Sequence, residues 1–296
     1  MSNILKFVIP NGSLSKRLIG YLNTAGYPIH EPDRRGYCGK AGNIEFFQFD
    51  RRMVPYFLVA GFHAGITGKD IWTGSGKTEL IVTDTLNFSR ASDQPTRWVL
   101  IKRKDVRLED ILRPVRIGCE LPGLLGYVFN GFCPNIQINL GSWVVRQIEG
   151  SEEQCVAHGI VDLALVVTET GQSILANDLE IIPKCEELFV STPCILSRKD
   201  LLPDLKEELE SLTCALKAVV GAQSNVMVVF DIPAEVNLDK LDLPFSVAPT
   251  VSPLTDPSWK SVSICIPRGE FGHVARKIKV AGGKSIELQE FQGHLA

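Results

Sequence analysis

Thr170-Gly171-Gln172-Ser173 sets two hydroxyls around a glycine, directly after the apolar run Ile160 to Val167. A buried strand that delivers such a turn into a helix start gathers free backbone N–H groups and hydroxyl donors at one point, which is a way to hold a phosphate. Gly171 lets the backbone approach the anion closely. The same residues would also serve as an ordinary capped helix start, and the segment alone leaves both readings open. Gly74-Ser75-Gly76-Lys77-Thr78 ends like a phosphate-binding P-loop, but the glycine required five positions before Gly76 is Ile71, so the string reads as a surface turn. His30, His63, His158, His273 and His294 have neither metal-site nor nucleophilic-triad spacing, and no metal site is expected. The eight cysteines contain no C-x-x-C and read as buried thiols. Lys102-Arg103-Lys104 and Arg276-Lys277-Ile278-Lys279 read as solvated faces.

The elements that must position this turn follow from the periodicity. Phe7-Val8-Ile9 is a short apolar run broken by Pro10-Asn11-Gly12-Ser13, after which Leu14, Leu18 and Leu22 recur every four residues. This predicts strand, turn and helix, with Ser13 as N-cap and Gly26 as stop. Ile44 to Phe47, a helix near Met53 to Ala60, an apolar stretch at Gly65-Ile66 and Trp98 to Ile101 continue the alternation, and predict an α/β architecture with mostly parallel sheets. The spacing predicts a long helix over Leu201 to Val220 that marks a boundary. Beyond it come a strand at Val226 to Phe230, a short helix near Val236 to Leu241 and strands near Val247 to Val251 and Val262 to Ile266. A helix at Phe271 to Val280 and a strand at Ser285 to Leu288 complete a ferredoxin-like βαββαβ order. Prolines recurring between Pro233 and Pro267 punctuate its loops.

The composition sets outer limits on the function. The chain has 296 residues, of which 45% are hydrophobic and 22% charged, enough for more than one globular core. Its net charge of −3 lacks the basic excess of a dedicated nucleic-acid binder. No window of about 18 apolar residues predicts a membrane span, and the N-terminal residues lack an export pattern, so the chain reads as cytoplasmic.

Glu169-Thr170-Gly171 with Ser173-Ile174-Leu175-Ala176-Asn177-Asp178-Leu179 resembles the phosphoribosyl-pyrophosphate loop of ATP phosphoribosyltransferases, the first enzymes of histidine biosynthesis. Further strings agree in order: Ile9-Pro10-Asn11-Gly12-Ser13-Leu14, Gly65-Ile66-Thr67-Gly68-Lys69-Asp70, Pro95 to Leu100, and Pro249-Thr250-Val251-Ser252-Pro253-Leu254. The resemblance spans nearly the whole chain and is to the long form. It implies two periplasmic-binding-protein-like lobes, lobe I over 1–92 and 178–221 and lobe II over 93–177, with a third, ferredoxin-like regulatory domain over 222–296.

The resemblance also implies an activity: condensation of ATP with phosphoribosyl pyrophosphate, with Mg2+ carried by the substrate's pyrophosphate. It implies that Thr170, Gly171, Gln172 and Ser173 hold the 5'-phosphate while Glu169 acts near the ribose. Pro10, Asn11, Gly12 and Ser13, with Gly65, Ile66, Thr67 and Gly68, would line the cleft. Pro249, Thr250 and Val251 would belong to a regulatory site for histidine, in a homo-oligomer.

Several positions depart from the family pattern. Acidic residues usually stand three or four positions before the Thr-Gly pair, where this chain has Val166 and Val167. Asn11 replaces a lysine, His63 an aspartate, and Arg52-Met53 stands where an aspartate precedes a Val-Pro pair. Two alternatives therefore accompany the enzyme reading. One is a catalytically impaired paralogue that binds a small anionic ligand or regulates a true enzyme; the other is a two-lobed small-molecule binding module.

Overall fold

The computed structural model describes residues 3–12, 14–88, 96–112, 114–131, 142–245 and 248–294. Two compact units divide the chain: Met1–Leu18 with Ile29–Leu209, and Ile19–Pro28 with Glu210–Ala296.

The first unit opens with β1 (Leu5–Pro10), whose alternate and adjacent apolar residues are buried; α1 (Ser15–Thr24) follows, its residues from Ile19 onward counted in the second unit. Gly26, at φ 87°, ends that helix as expected from its freedom to take the left-handed conformation. Then come β2 (Tyr37–Ala41), β3 (Ile44–Phe49), α2 (Val54–Val59) and β4 (Ala64–Gly68). Next are α3 (Lys69–Ser75) and β5 (Leu80–Thr85). Pro55 starts α2 where its missing N–H costs nothing. Gly76 closes α3 in the left-handed region, so the GSGKT string is a helix end, the reverse of a P-loop.

The chain then builds a second sheet. It contains β6 (Thr96–Arg103), β7 (Val115–Cys119), α4 (Pro122–Gly131), β8 (Trp143–Gln147), α5 (Glu152–Ala157), β9 (Leu163–Thr168) and α6 (Gln172–Ala176). Two short strands, β10 (Leu179–Ile181) and β11 (Phe189–Ser191), also pair with β6. The sequence reading placed 178–221 in the first lobe; the observed pairing keeps the chain in the second sheet through Ser191. It returns only with β12 (Pro193–Arg198), which inserts between β4 and β5.

The first sheet has the order β2-β3-β1-β4-β12-β5, and the second β10-β6-β9-β7-β8. Both are mixed. Among the described residues only β1–β3, β1–β4, β7–β8 and β7–β9 pair in parallel, fewer than the expected parallel majority, because β12 and the strands around β6 run antiparallel to their neighbours. A buried network joins the two sheets. Asp70 on α3 accepts the Trp98 indole N–H at 2.9 Å and the Ser191 hydroxyl at 2.7 Å. Lys102 also differs from its expected solvated state: it is buried, and its ammonium pairs with Glu180 at 2.5 Å and donates to Val106 O at 2.7 Å.

The helix α7 (Pro203–Ser224) precedes β13 (Asn225–Pro233), β14 (Thr250–Pro253), β15 (Trp259–Pro267), α8 (Phe271–Val280) and β16 (Lys284–Glu290). Their sheet order β14-β15-β13-β16, antiparallel throughout, is that of a ferredoxin-like domain. Val274 and Ile278 of α8 pack on Val228, Phe230 and Ile264. The expected first helix is a four-residue 3-10 turn, Leu238–Leu241, started by Asn237, whose side chain accepts the Asp239 N–H. No helix among the described residues is long and apolar enough to cross a membrane.

Candidate active site

Parallel strands end on the same side, so β1, β3 and β4 deliver three loops to one edge of the first sheet: Asn11–Gly12, Asp50–Arg52 and Lys69–Asp70. By the same logic β7, β8 and β9 deliver Glu120, Glu149 to Glu153, and Glu169 to Ser173 to one edge of the second. In open α/β sheets such carboxyl ends are where ligands bind.

Arg51 joins the two edges. Its backbone is fixed by two neighbours, since its N–H donates to Asn11 Oδ1 at 3.3 Å and its carbonyl accepts the buried Thr67 hydroxyl at 3.0 Å. Its guanidinium pairs with Glu120 at 2.5 Å. Arg52 reaches Glu149 at 2.6 Å and Asp50 at 3.0 Å, and its bonds to Asp50 hold that carboxyl below its ordinary range.

Three cavities lie along this seam. One of about 180 Å³ is walled by Arg51, Trp98, Glu120, Gly150, Glu152, Glu153, Val166 and Val167. A larger one of about 590 Å³ includes Asp50, Arg52, Met53, Tyr56, Glu120 and Gln147. A third, about 40 Å³, is lined by Pro10, Arg51, Gly68, Asp70 and Val167. Because Arg51 and Val167 wall both smaller cavities and Glu120 walls two, the three form one cleft.

The Thr170–Ser173 turn follows β9 and lines none of the three cavities itself; one hydrogen bond links it to them. Gly171 takes φ 75°, its N–H donates to Thr168 Oγ1 at 2.8 Å, and the Gln172 N–H lies 3.4 Å from Thr170 Oγ1. Ser173 Oγ donates to Glu153 at 3.1 Å, tying the turn to the small cavity's wall. The helix that follows is only five residues and offers little dipole, and in the free protein the Gly171 and Gln172 N–H groups are engaged within the turn.

Comparison with known proteins decides the family. A family model for ATP phosphoribosyltransferase matches residues 52–218, and one for the C-terminal domain of HisG matches residues 222–290. The chain belongs to the ATP phosphoribosyltransferase family. It is 31% identical over 293 residues to the ATP phosphoribosyltransferase of Nitratidesulfovibrio vulgaris strain Hildenborough, covering 95% of each chain. It is 28% identical to ATP phosphoribosyltransferase 1 of Geobacter sulfurreducens, covering 97% of each. Among solved structures, the ATP phosphoribosyl transferase (HisG:HisZ) complex from Thermotoga maritima contains a similar chain, with TM-score 0.60 and 25% identity. That match covers 75% of this chain and all of the other. The family places the chain among transferases of histidine biosynthesis.

For an ATP phosphoribosyltransferase, the sequence-predicted residues fall into unequal groups. Pro10 and Gly68 line the cleft, while Asn11 and Thr67 act one step behind it by holding Arg51. Gly12 turns the chain at φ 86°, and Ser13 lies outside the described residues. Gly65 and Ile66 are corrections to the expected cleft lining. Ile66 is fully buried core, and Gly65 sits so close to β1 that a Cβ would stand 2.7 Å from Val8 O. His63 lies at the opposite end of β4, where its Nδ1 accepts the Lys6 N–H at 2.9 Å and burial lowers its pKa, so its departure from the family pattern does not touch the cleft. Thr250 and Val251 are exposed on the edge strand β14, preceded by half-buried Pro249. Arg51, Glu120, Glu152 and Glu153 were missed. The signal that finds them is their place within six residues of the end of a parallel strand.

Proposed function

We propose that this chain condenses ATP with phosphoribosyl pyrophosphate to give phosphoribosyl-ATP, with both substrates meeting along the seam between the two sheets. The observation that carries this reading is the Arg51–Glu120 bridge, which brings the carboxyl ends of two sets of parallel strands into one cleft. The 5'-phosphate would rest on Thr170, Gly171, Gln172 and Ser173, with Glu169 beside the ribose. The sugar would occupy the cavity walled by Val166, Val167, Glu152 and Glu153, and the pyrophosphate would face Arg51 and the Pro10 to Ser13 loop. ATP would enter the larger cavity, where Tyr56 and Met53 supply apolar surface and Arg52 a cation. A volume of about 590 Å³ suits a nucleotide-sized ligand.

In the reaction, the N1 lone pair of adenine forms a bond to C1 of the ribose as the C1–O bond to pyrophosphate breaks. Pyrophosphate leaves with that electron pair, and the adenine 6-amino group releases a proton. The transition state has oxocarbenium character, so alignment and charge stabilisation carry the rate. Arg51 would bind the leaving group's charge, and the loop beyond β9 would fix the ribose 5'-phosphate so that C1 meets N1. A hydrated Mg2+ arriving on the substrate's own phosphates would supply charge neutralisation at the pyrophosphate without a ligand cluster from the described residues of the chain.

The remaining assignments belong to the same reading. Residues 222–296 would act as a regulatory domain in which Pro249, Thr250 and Val251 border a histidine site, in a homo-oligomer working in the cytoplasm. Purified protein mixed with ATP, phosphoribosyl pyrophosphate and Mg2+ should change the ultraviolet absorbance of the adenine ring and release pyrophosphate. Added histidine should inhibit. Protein that binds neither substrate by calorimetry and shows no turnover would overturn the reading.

A further inference from the structure

Glu152 is 7% exposed and walls the small cavity together with Val166. Burying a carboxylate this deeply is costly unless a cation or several donors compensate it. The one guanidinium among the cavity's walls, that of Arg51, is already paired with Glu120 at 2.5 Å. Among the described residues Glu152 makes no ion pair, and backbone N–H groups of Gly150 and of Glu152 itself are what hold its carboxylate. Burial, with Glu120 and Glu153 nearby, raises its pKa above the ordinary carboxylate range. A group whose only structural role was packing would be better replaced by an apolar side chain.

Val166 is the converse case. It stands where phosphoribosyltransferase loops usually present an acid, yet it is 4% exposed and packs with Val99, Val156 and Ile174. We propose that Glu152 supplies the ribose-binding carboxylate that β9 lacks, so that the acid has moved from the strand to the start of the neighbouring helix α5 while still facing the same cavity. This rests on the reading that phosphoribosyl pyrophosphate binds the cleft. The Glu152 carboxylate accepts hydrogen bonds from the ribose 2'- and 3'-hydroxyls on the lone pairs that its backbone donors leave open. A sugar lacking those hydroxyls would gain nothing from it.

Three proteins test the assignment: the natural chain, Glu152→Gln, and the double variant Glu152→Val with Val166→Asp. Glu152→Gln should lower kcat/KM for phosphoribosyl pyrophosphate by about tenfold or more, the loss of a charge-assisted hydrogen bond. The KM for ATP and the affinity for inorganic pyrophosphate should stay within about twofold. Removing a buried charge that no cation pairs should also raise the melting temperature of the free protein, which a supporting role in the fold would not do. The double variant should recover most of the lost kcat/KM, since it returns a carboxylate to the same cavity from the strand.

Unchanged kcat/KM in a folded Glu152→Gln protein overturns this assignment while leaving the proposed function standing. An equal loss of affinity for inorganic pyrophosphate overturns it too, because the effect would not then be on the sugar. A natural protein that neither binds nor turns over phosphoribosyl pyrophosphate removes the proposed function and this assignment together.

Discussion

The carboxyl edges of the two sheets in the first unit are built alike and charged differently. Beyond β1, β3 and β4 stand Arg51, Arg52 and Lys69, with Asp50 bound to Arg52 and Asp70 buried against Trp98 and Ser191; beyond β7, β8 and β9 stand Glu120, Glu149, Glu152, Glu153 and Glu169. The shared construction follows from parallel pairing, which puts three loops on one side. The difference lies only in which residues those loops carry. It teaches how one cleft can serve a ligand with two chemistries: the cationic edge suits a pyrophosphate, and the acidic edge suits sugar hydroxyls. Arg51–Glu120 and Arg52–Glu149 are where the two edges meet.

The contrast breaks most severely at Arg51. Arg51→Ala should cut kcat/KM by about a hundredfold or more, because it removes the cation facing the leaving group and strands Glu120. Arg51→Lys should recover only part, since an ammonium lacks the planar fork. Steady-state kinetics with both substrates varied would check this; a loss below threefold would mean that the cationic edge does not touch the pyrophosphate.

On the acidic edge, Gly171→Val should weaken phosphoribosyl pyrophosphate binding about tenfold or more while ATP binding is retained. At φ 75° a β-branched residue is strained by about 1–2 kcal/mol even though open space surrounds the position, so the turn relaxes out of its donor geometry. Gly171→Asn should be milder. Calorimetry on the two variants, with melting curves to confirm folding, separates backbone conformation from side-chain bulk.

A smaller effect is expected at Arg52, which is a third exposed. Arg52→Ala should cost less than about 1 kcal/mol of stability at neutral pH. Because Arg52 depresses the Asp50 pKa, that contribution is present above the ordinary carboxylate pKa and is lost as the pH falls through the depressed value. Melting curves from neutral to acid pH should therefore converge for the two proteins at the acid end. Parallel curves would show that Asp50 is not held by Arg52.

The least perturbing probe is alkylation of the native thiols. Burial pushes Cys119, at the end of β7, and Cys194, inside the first sheet, up to about 12, and Cys38 to about 11. Among the described cysteines, exposed Cys214 should react first near pH 8, as read by peptide mass spectrometry. Early labelling of Cys119 but not Cys194 would reveal that the acidic edge opens more readily than the cationic one.

Periodicity made much of the fold legible: α8 spans the expected residues, α7 lies within a few of them, and the tail pairs as its strand order implied. Pairing between distant segments was not. Leu179–Ile181 and Phe189–Ser191 look like a return to the first lobe, and only their hydrogen bonds to β6 keep them in the second. At the site, the Thr170–Ser173 turn stands out because glycine and hydroxyls are informative residue types. Arg51, Glu120 and Glu152 do not, since isolated charges in sequence read as solvent-facing. Glu152-Glu153 in particular resembles an ordinary acidic helix start, and its burial comes from the walls that β7 and β9 build around it. Gly65 and Ile66 erred in the other direction, because a glycine can serve a close strand crossing as readily as a ligand.

The insertion of β12 between β4 and β5 constrains the order of events during synthesis. Residues 80–85 leave the ribosome more than a hundred residues before Pro193–Arg198, the strand they pair with on both Cys194 and Leu196. Until then β4 exposes an unpaired edge and β5 has no strand partner in the sheet, and the second sheet must form as an excursion within an unfinished first one. Long-range closure of this kind slows folding and leaves apolar strands open to association with other chains. A nascent chain halted before residue 193 would therefore be a natural client for a chaperone, and a circular permutant that supplies β12 early would relieve that dependence.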